Sequence, residues 1–364
     1  MKFPRSSGIL LHPTSLPGPA GIGTLGPDAV EFASFLNDAG CSIWQMLPLG
    51  PTGYGDSPYQ CFSAFAGNPL LIHLPDEVAI TSAATDVDFG VVLPQKRRLL
   101  GQHFERFVPD ARYERWVKQQ TWLNDYALFS TLKDVYDGNS WTTWDPLLAN
   151  RDAAALEKFR RAHTRDIARV CFEQYVFFRQ FFALRDACRE RGVRLMGDLP
   201  IYVAHDSADV WANRELFQLN ADGSLVVQAG VPPDYFSETG QLWGNPIYNW
   251  SALREQKYAW WIERMRAALA MFDVVRLDHF RGFESYWEVP GTAQTAIKGK
   301  WVKGPGEELF KALTAAVGPL PIVAENLGLI TPEVERLRTG LGYPGMSILQ
   351  FAFGGEDEKN EFKP

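Results

Sequence analysis

Apolar residues recur at helical spacing between positions 28 and 38, at Ala29, Phe32, Ala33 and Leu36, and Gly40 then supplies a stop. The period changes at once. Residues 42–49 form a short apolar run that reads as a strand, and it enters a segment dense in turn formers over 50–60. This order of helix, glycine, strand and loop returns along the chain. A long helical pattern over 155–191 stops at Gly192, and the apolar run 193–196 leads into Gly197-Asp198-Leu199-Pro200. A helix over 253–270, with Ile262, Met265, Ala268 and Leu269 on one side, feeds the strand Val274-Val275-Arg276-Leu277-Asp278. A helix over 307–316 stops near Gly318 and precedes a strand at 321–324 that ends at Glu325. Thr331 as N-cap and Pro332 in the first helical position open a last helix, which delivers a strand at 347–351. Residues 70–74 read as one more strand.

Helices alternating with short buried strands imply a parallel sheet with helical crossovers. Three of the strands end in an acid: Asp198, Asp278 and Glu325. Chemistry-bearing residues at the carboxyl ends of several parallel strands are the arrangement of a (β/α)8 TIM barrel. A doubly wound open sheet also binds ligands there, but it would carry a glycine-rich phosphate loop. The glycines between 18 and 26 follow no clear strand, and the prolines among them remove N–H groups that a phosphate cradle needs. Two stretches read as insertions into the barrel. Residues 76–192 look helical and polar and form a subdomain, and residues 200–255 form a loop-rich cleft wall and lid.

Composition narrows the partners. With 36 Lys+Arg against 43 Asp+Glu and a net charge of −7, the chain lacks the basic footprint of a nucleic-acid binder. The longest apolar run near the start, residues 9–11, is too short for a signal-peptide core or a membrane span, so the expected location is cytoplasmic. Cys41, Cys61, Cys171 and Cys188 make no metal spacing and read as free thiols, and no metal site is written in the scattered histidines.

Residues two apart on a strand share a face, so Arg276 and Asp278 point the same way. The arginine is expected to hold Asp278 ionised, as a nucleophile requires, whereas the apolar setting of Glu325 favours its protonated form. A structural ion pair at a strand end accounts for the first pair equally well. Two carboxylates with pKa values pushed apart perform glycoside chemistry, and a separation of about 5 Å marks a retaining, double-displacement course. The aromatic residues clustered at 54–59, 235–243 and 283–287 suit the C–H faces of sugar rings. Others, such as Trp44 and Trp122, fall inside predicted elements and read as core.

Taken in order, Ser15-Leu16-Pro17-Gly18 with Gly21-Ile22-Gly23, Gly53-Tyr54-Gly55-Asp56-Ser57-Pro58-Tyr59-Gln60, Gly197-Asp198-Leu199-Pro200, Gly230-Val231-Pro232-Pro233-Asp234-Tyr235-Phe236, Trp243-Gly244-Asn245-Pro246, Arg276-Leu277-Asp278-His279 and Ala324-Glu325-Asn326-Leu327-Gly328 resemble the 4-α-glucanotransferases, the amylomaltase or disproportionating-enzyme family. The likeness runs through the whole chain. It implies retaining transfer between α-1,4-glucans and maltooligosaccharides on an amylase-type barrel, without metal or organic cofactor. By motif match it implies Asp278 as nucleophile, Glu325 as acid/base and Arg276 as the group that orients the nucleophile, with His279 among the substrate-binding residues. Asp198, Ser57, Tyr59, Asp234, Gln241 and Trp243 would line donor sugar subsites. Tyr235 and Phe236 would belong to a loop over bound glucan, and Tyr54 to a second sugar-binding patch.

Six strands can be counted where a closed barrel needs eight, and the family's third catalytic acid, in a His-Asp motif on a later strand, does not follow Phe351. The expectation is a barrel lacking its last strands, from a longer protein, with weak or no activity in this chain. An α-glucan hydrolase using the same carboxylates, or a glucan-binding fragment that has lost the chemistry, are the competing readings.

Overall fold

The computed structural model describes residues 5–77, 86–234 and 237–348. In chain order the strands are β1 (Gly8–Leu10), β2 (Ile43–Gln45), β3 (Arg194–Leu199), β4 (Val227–Val231), β5 (Gln241–Pro246), β6 (Val274–Leu277), β7 (Ser285–Pro290), β8 (Lys300–Lys303) and β9 (Ile322–Ala324). The helices are α1 (Pro27–Asp38), α2 (Phe89–Arg106), α3 (Ala111–Gln119), α4 (Leu123–Val135), α5 (Pro146–Ala149), α6 (Ala153–Ala162), α7 (Thr164–Glu190), α8 (Ala208–Ala212), α9 (Trp250–Glu255), α10 (Ala259–Met271), α11 (Glu307–Val317) and α12 (Pro332–Gly340).

Five strands form a parallel sheet in the order β1-β2-β3-β6-β9. Helices α1, α7, α10 and α11 are the crossovers that precede β2, β3, β6 and β9. Because helices cover it, β3 is buried on nearly every position, and its apolar residues run on without alternation. Trp44 on β2 is fully buried, and its indole N–H donates to the Leu11 carbonyl at 2.8 Å, which fixes the turn after β1. Trp122 is only half-buried. A second, antiparallel sheet has the order β5-β4-β7-β8. It joins the stretch 200–255, which is therefore more regular than loop-rich, to the hairpin that follows β6.

Several expectations need correcting. Residues 70–74 are not a strand. Leu70, Leu71, Ile72 and Leu74 are buried, as a strand's would be, but Pro69–Leu71 is a 3-10 turn. The backbone there pairs with side chains of α7: the Gln174 amide bonds the N–H and C=O of Gly67, and the Gln180 amide those of His73, all at 2.8–2.9 Å. An apolar run thus has strand burial without a strand partner. The first barrel strand, β1, was not expected at all. The helix expected over 155–191 is broken at His163 into α6 and α7, and the imidazole stacks on Phe159 at 4.3 Å. The helix expected over 253–270 is likewise two, because Lys257 and Tyr258 take left-handed backbone angles (φ 53° and 58°) between α9 and α10. The strand expected at 347–351 falls, from residue 349 onward, outside the described residues.

Candidate active site

Register assembles the site. Within the parallel sheet Asp198 of β3 lies opposite Arg276 of β6, and Leu277 opposite Ala324 of β9. Asp278 and Glu325 therefore follow their strands side by side, and the Glu325 N–H donates to the Leu277 carbonyl at 3.0 Å. One nitrogen of Arg276, Nη1, lies 2.7 and 2.8 Å from the two oxygens of Asp198 and 2.7 Å from Oδ1 of Asp278. Tyr59 donates its hydroxyl to Asp198 Oδ2 at 2.7 Å. The Glu325 carboxylate accepts the backbone N–H of His279 at 2.9 Å and that of Leu327. His279 presents its N–H that way because it takes a left-handed conformation (φ 49°, ψ 48°), a strained choice for a residue with a Cβ. Gly197, next to Asp198, has to be glycine: an added Cβ would stand 2.2 Å from the Phe272 ring.

Two aspartates share one guanidinium with Glu325 beside them in a buried setting, and burial dominates the titration of all three carboxylates. Asp198 is pushed up from 3.8 to about 6, chiefly by desolvation, with Arg276 opposing and Asp278 adding to the rise. Asp278 is also raised. This reverses the sequence expectation that Arg276 would pull it down: desolvation is the largest influence, and the arginine's charge is divided between two aspartates. Glu325 is raised by burial first, against the pull of the Leu327 N–H, and further by the neighbouring charge of Asp278. Burial and the positive charge of Arg281 push the His279 imidazole down to about 3, so it is neutral. Its ring meets Trp243 edge to face at 4.8 Å.

A cleft of roughly 430 Å³ opens beside Asp278, within the range of small-molecule sites. Of the expected residues, Ser57, Tyr59, Trp243 and Asp278 line it together. Gln241 stands at its edge, accepting the Trp243 indole N–H at 3.2 Å, and Gln60 ties the 54–60 segment to β5 by donating to the Trp243 carbonyl at 3.2 Å. Asp234 is exposed and accepts the Ser237 N–H at 2.9 Å; it does not line the cleft. Tyr54 is 90 % exposed on a separate 3-10 turn, away from the cleft lining. Tyr235 and Phe236 lie outside the described residues.

Sequence reasoning missed Gln60, Tyr202 and Asn245 as cleft residues. Gln60 and Asn245 stand inside the recognised motifs, and their amides could have been read as sugar-hydroxyl partners. Tyr202 carried one usable signal, its place four residues after Asp198 in the loop leaving β3. No group of His, Cys, Asp and Glu among the described residues could hold a metal ion, and no helix there is long and apolar enough to cross a membrane.

A family model described as 4-alpha-glucanotransferase matches residues 11–364. The 4-alpha-glucanotransferase of Thermus thermophilus is 48 % identical, over 100 % of this chain and 76 % of the relative. That of Synechocystis is 48 % identical, over 99 % and 75 %. Among solved structures, the amylomaltase from Streptococcus agalactiae in complex with acarbose superposes with a TM-score of 0.92 at 40 % identity, over 96 % of this chain and 74 % of that one.

Proposed function

From the premise that this chain belongs to the 4-alpha-glucanotransferase family, we propose that it transfers α-1,4-glucan segments between maltooligosaccharides through a covalent glycosyl-enzyme on Asp278. Glu325, in its protonated form, gives its proton to the glycosidic oxygen as the bond from C1 to that oxygen breaks. An Asp278 carboxylate oxygen forms the new bond to C1, and the shortened glucan leaves with the proton. Glu325, now a carboxylate, takes the proton of an acceptor hydroxyl, whose oxygen displaces Asp278 from C1. Arg276 orients Asp278 and offsets its charge as the ester breaks. Asp198, Ser57, Tyr59, Gln241 and Trp243 hold the donor sugar, Asp234 reaches it from the neighbouring loop, and Tyr235 and Phe236 cover bound glucan. Tyr54 offers an exposed ring to a more distant part of the polymer.

The observation that carries this reading is the convergence of Asp198, Asp278 and Glu325 at the ends of three adjacent parallel strands, with Arg276 paired to both aspartates. That the Streptococcus agalactiae relative was solved in complex with acarbose supports a sugar-like ligand for this chain. The test is chromatography of maltotriose incubated with the protein. Glucose with a ladder of longer oligosaccharides would support transfer and overturn the expectation of weak or no activity; shortened sugars alone would replace transfer by hydrolysis, and an unchanged trace would leave the transfer reading unsupported for this chain. Asp278→Asn should abolish products while titration calorimetry still registers maltooligosaccharide binding, and undiminished turnover would remove Asp278 from the mechanism.

A further inference from the structure

Glu325 is held by two backbone N–H groups, and something must fix the backbone that carries them. The first belongs to His279, at the head of the 3-10 turn Phe280–Phe283; the second to Leu327, in the loop that leaves β9. Arg281 lies in that turn, is only 4 % exposed, and spends its guanidinium on neighbouring backbone. Its Nη1 donates to the Leu329 carbonyl at 2.6 Å, its Nη2 to the Ser285 hydroxyl at 3.1 Å and its Nε to the Ser285 carbonyl at 3.4 Å. The indole of Trp301, reaching over from β8 of the second sheet, covers the guanidinium at 3.8 Å. One side chain thus ties the loop after Glu325 to the turn after Asp278, and a residue from a different sheet keeps it there. A planar five-donor group suits this task; an ammonium could hold only part of it.

We propose that Arg281 is a positioning residue for Glu325: by pinning the Leu329 carbonyl to the 280–285 turn it holds the Leu327 and His279 N–H groups on the carboxylate, with Trp301 as its clamp. This rests on the reading of Glu325 as acid/base and extends it to residues outside the cleft. The charged and titratable groups around this assembly are Asp278 and Arg276 from the β6 side, the neutral His279, and Glu284, which faces Arg281 and is itself paired with Lys303. The two N–H donors favour the ionised form of Glu325. Releasing them should make the carboxyl a weaker acid and leave it loosely placed.

The experiment compares Arg281→Met, Arg281→Lys and Trp301→Leu with the unaltered chain and with Glu325→Gln. For Arg281→Met we expect kcat on maltotriose to fall by about 10- to 100-fold, the scale of a reacting group displaced by a fraction of an ångström to an ångström. KM should change little, since Tyr59 and Trp243 are untouched. The Glu325 titration, followed by NMR of carboxyl-labelled glutamate and assigned by its loss in Glu325→Gln, should move to higher pH, and the alkaline limb of kcat/KM with it. Arg281→Lys should lie between. Trp301→Leu, at a half-open site on the hairpin, should shift the titration in the same direction by less, and it carries the test if Arg281→Met fails to fold. A Glu325 titration that stays in place in the folded variants overturns the positioning role, even if melting temperature drops. Turnover that survives Glu325→Gln overturns the acid/base reading instead, and the titration result then stands on its own.

Discussion

Asp198 lets the electrostatics of the cluster be separated from its chemistry. The side chain is fully buried, bonded to Arg276 and Tyr59, and its pKa is raised from 3.8 to about 6. A rise of about two pH units corresponds to roughly 3 kcal/mol by which the native state disfavours the ionised form. The sign follows from proton counting. Between pH 4 and 6 the native protein keeps a proton on Asp198 that the unfolded chain has lost, so this group's contribution to stability is full below pH 4 and is lost as pH rises past 6. Asp198→Asn removes the ionisation and keeps the shape. The stability difference, variant minus wild type, should therefore move in the variant's favour by up to about 3 kcal/mol between pH 4 and pH 7.5. Arg276 loses a partner in the variant but keeps Asp278 at 2.7 Å, which limits the cost at either pH. Paired urea melts at the two pH values read this directly, and maltotriose turnover should fall in parallel because Arg276, the proposed orienter of Asp278, loses one of its two carboxylate partners. A stability difference that does not change with pH would refute the reasoning, since it would mean that Asp198 titrates alike in folded and unfolded chains.

Two further outcomes follow from the packing. Gly197→Ala should destabilise the protein by about 1–3 kcal/mol or more and depress turnover as well, because its methyl would enter the Phe272 ring face and push β3 beside Asp198; a thermal melt and activity like those of the parent would contradict the close approach. Lys96→Met should cost about 3–5 kcal/mol, since Lys96 is buried, donates to the Ile72 carbonyl at 2.6 Å and pairs with an equally buried Glu77, which would be left without its cation. A loss under 1 kcal/mol in a denaturation series would show that Glu77 reaches water.

What could be read in the sequence was what depends on neighbours along the chain. A short apolar run behind a glycine stop identified β3, β6 and β9, and the acid at each strand end pointed to the working face. The failures share one cause, partners distant in sequence. β1 is three residues long and is defined by its pairing with β2, more than thirty residues on. The buried run at 70–74 looked like a strand because nothing nearby reveals that Gln174 and Gln180 take up the adjoining backbone. The second sheet was invisible for the same reason: β4 pairs with β7 across about sixty residues, and neither carries a long alternating pattern.

The error over Asp278 is more instructive than those over strands, because it concerns chemistry. From two residues two positions apart on one strand the sequence supports only a pairwise inference: an arginine beside a carboxylate lowers its pKa. In the folded protein the same guanidinium nitrogen is shared with Asp198, 78 residues earlier in the chain, and these groups are largely buried, with Asp278 opening onto the cleft. Three carboxylates around one cation would carry a net charge of −2 if all were ionised, and a buried site resists that. Burial therefore raises all three pKa values, and the charge of Asp278 adds to the rise of both Asp198 and Glu325. Asp198 and Asp278 each touch Arg276, whereas Glu325 is held by two backbone N–H groups and by no cation among the described residues. Burial raises the Glu325 pKa without an ion pair to offset it, which favours the protonated form that the proposed acid role needs. On the proposed reading, the division of roles between nucleophile and acid is set by how the register of three strands distributes one arginine, and moving Arg276 should disturb both roles together.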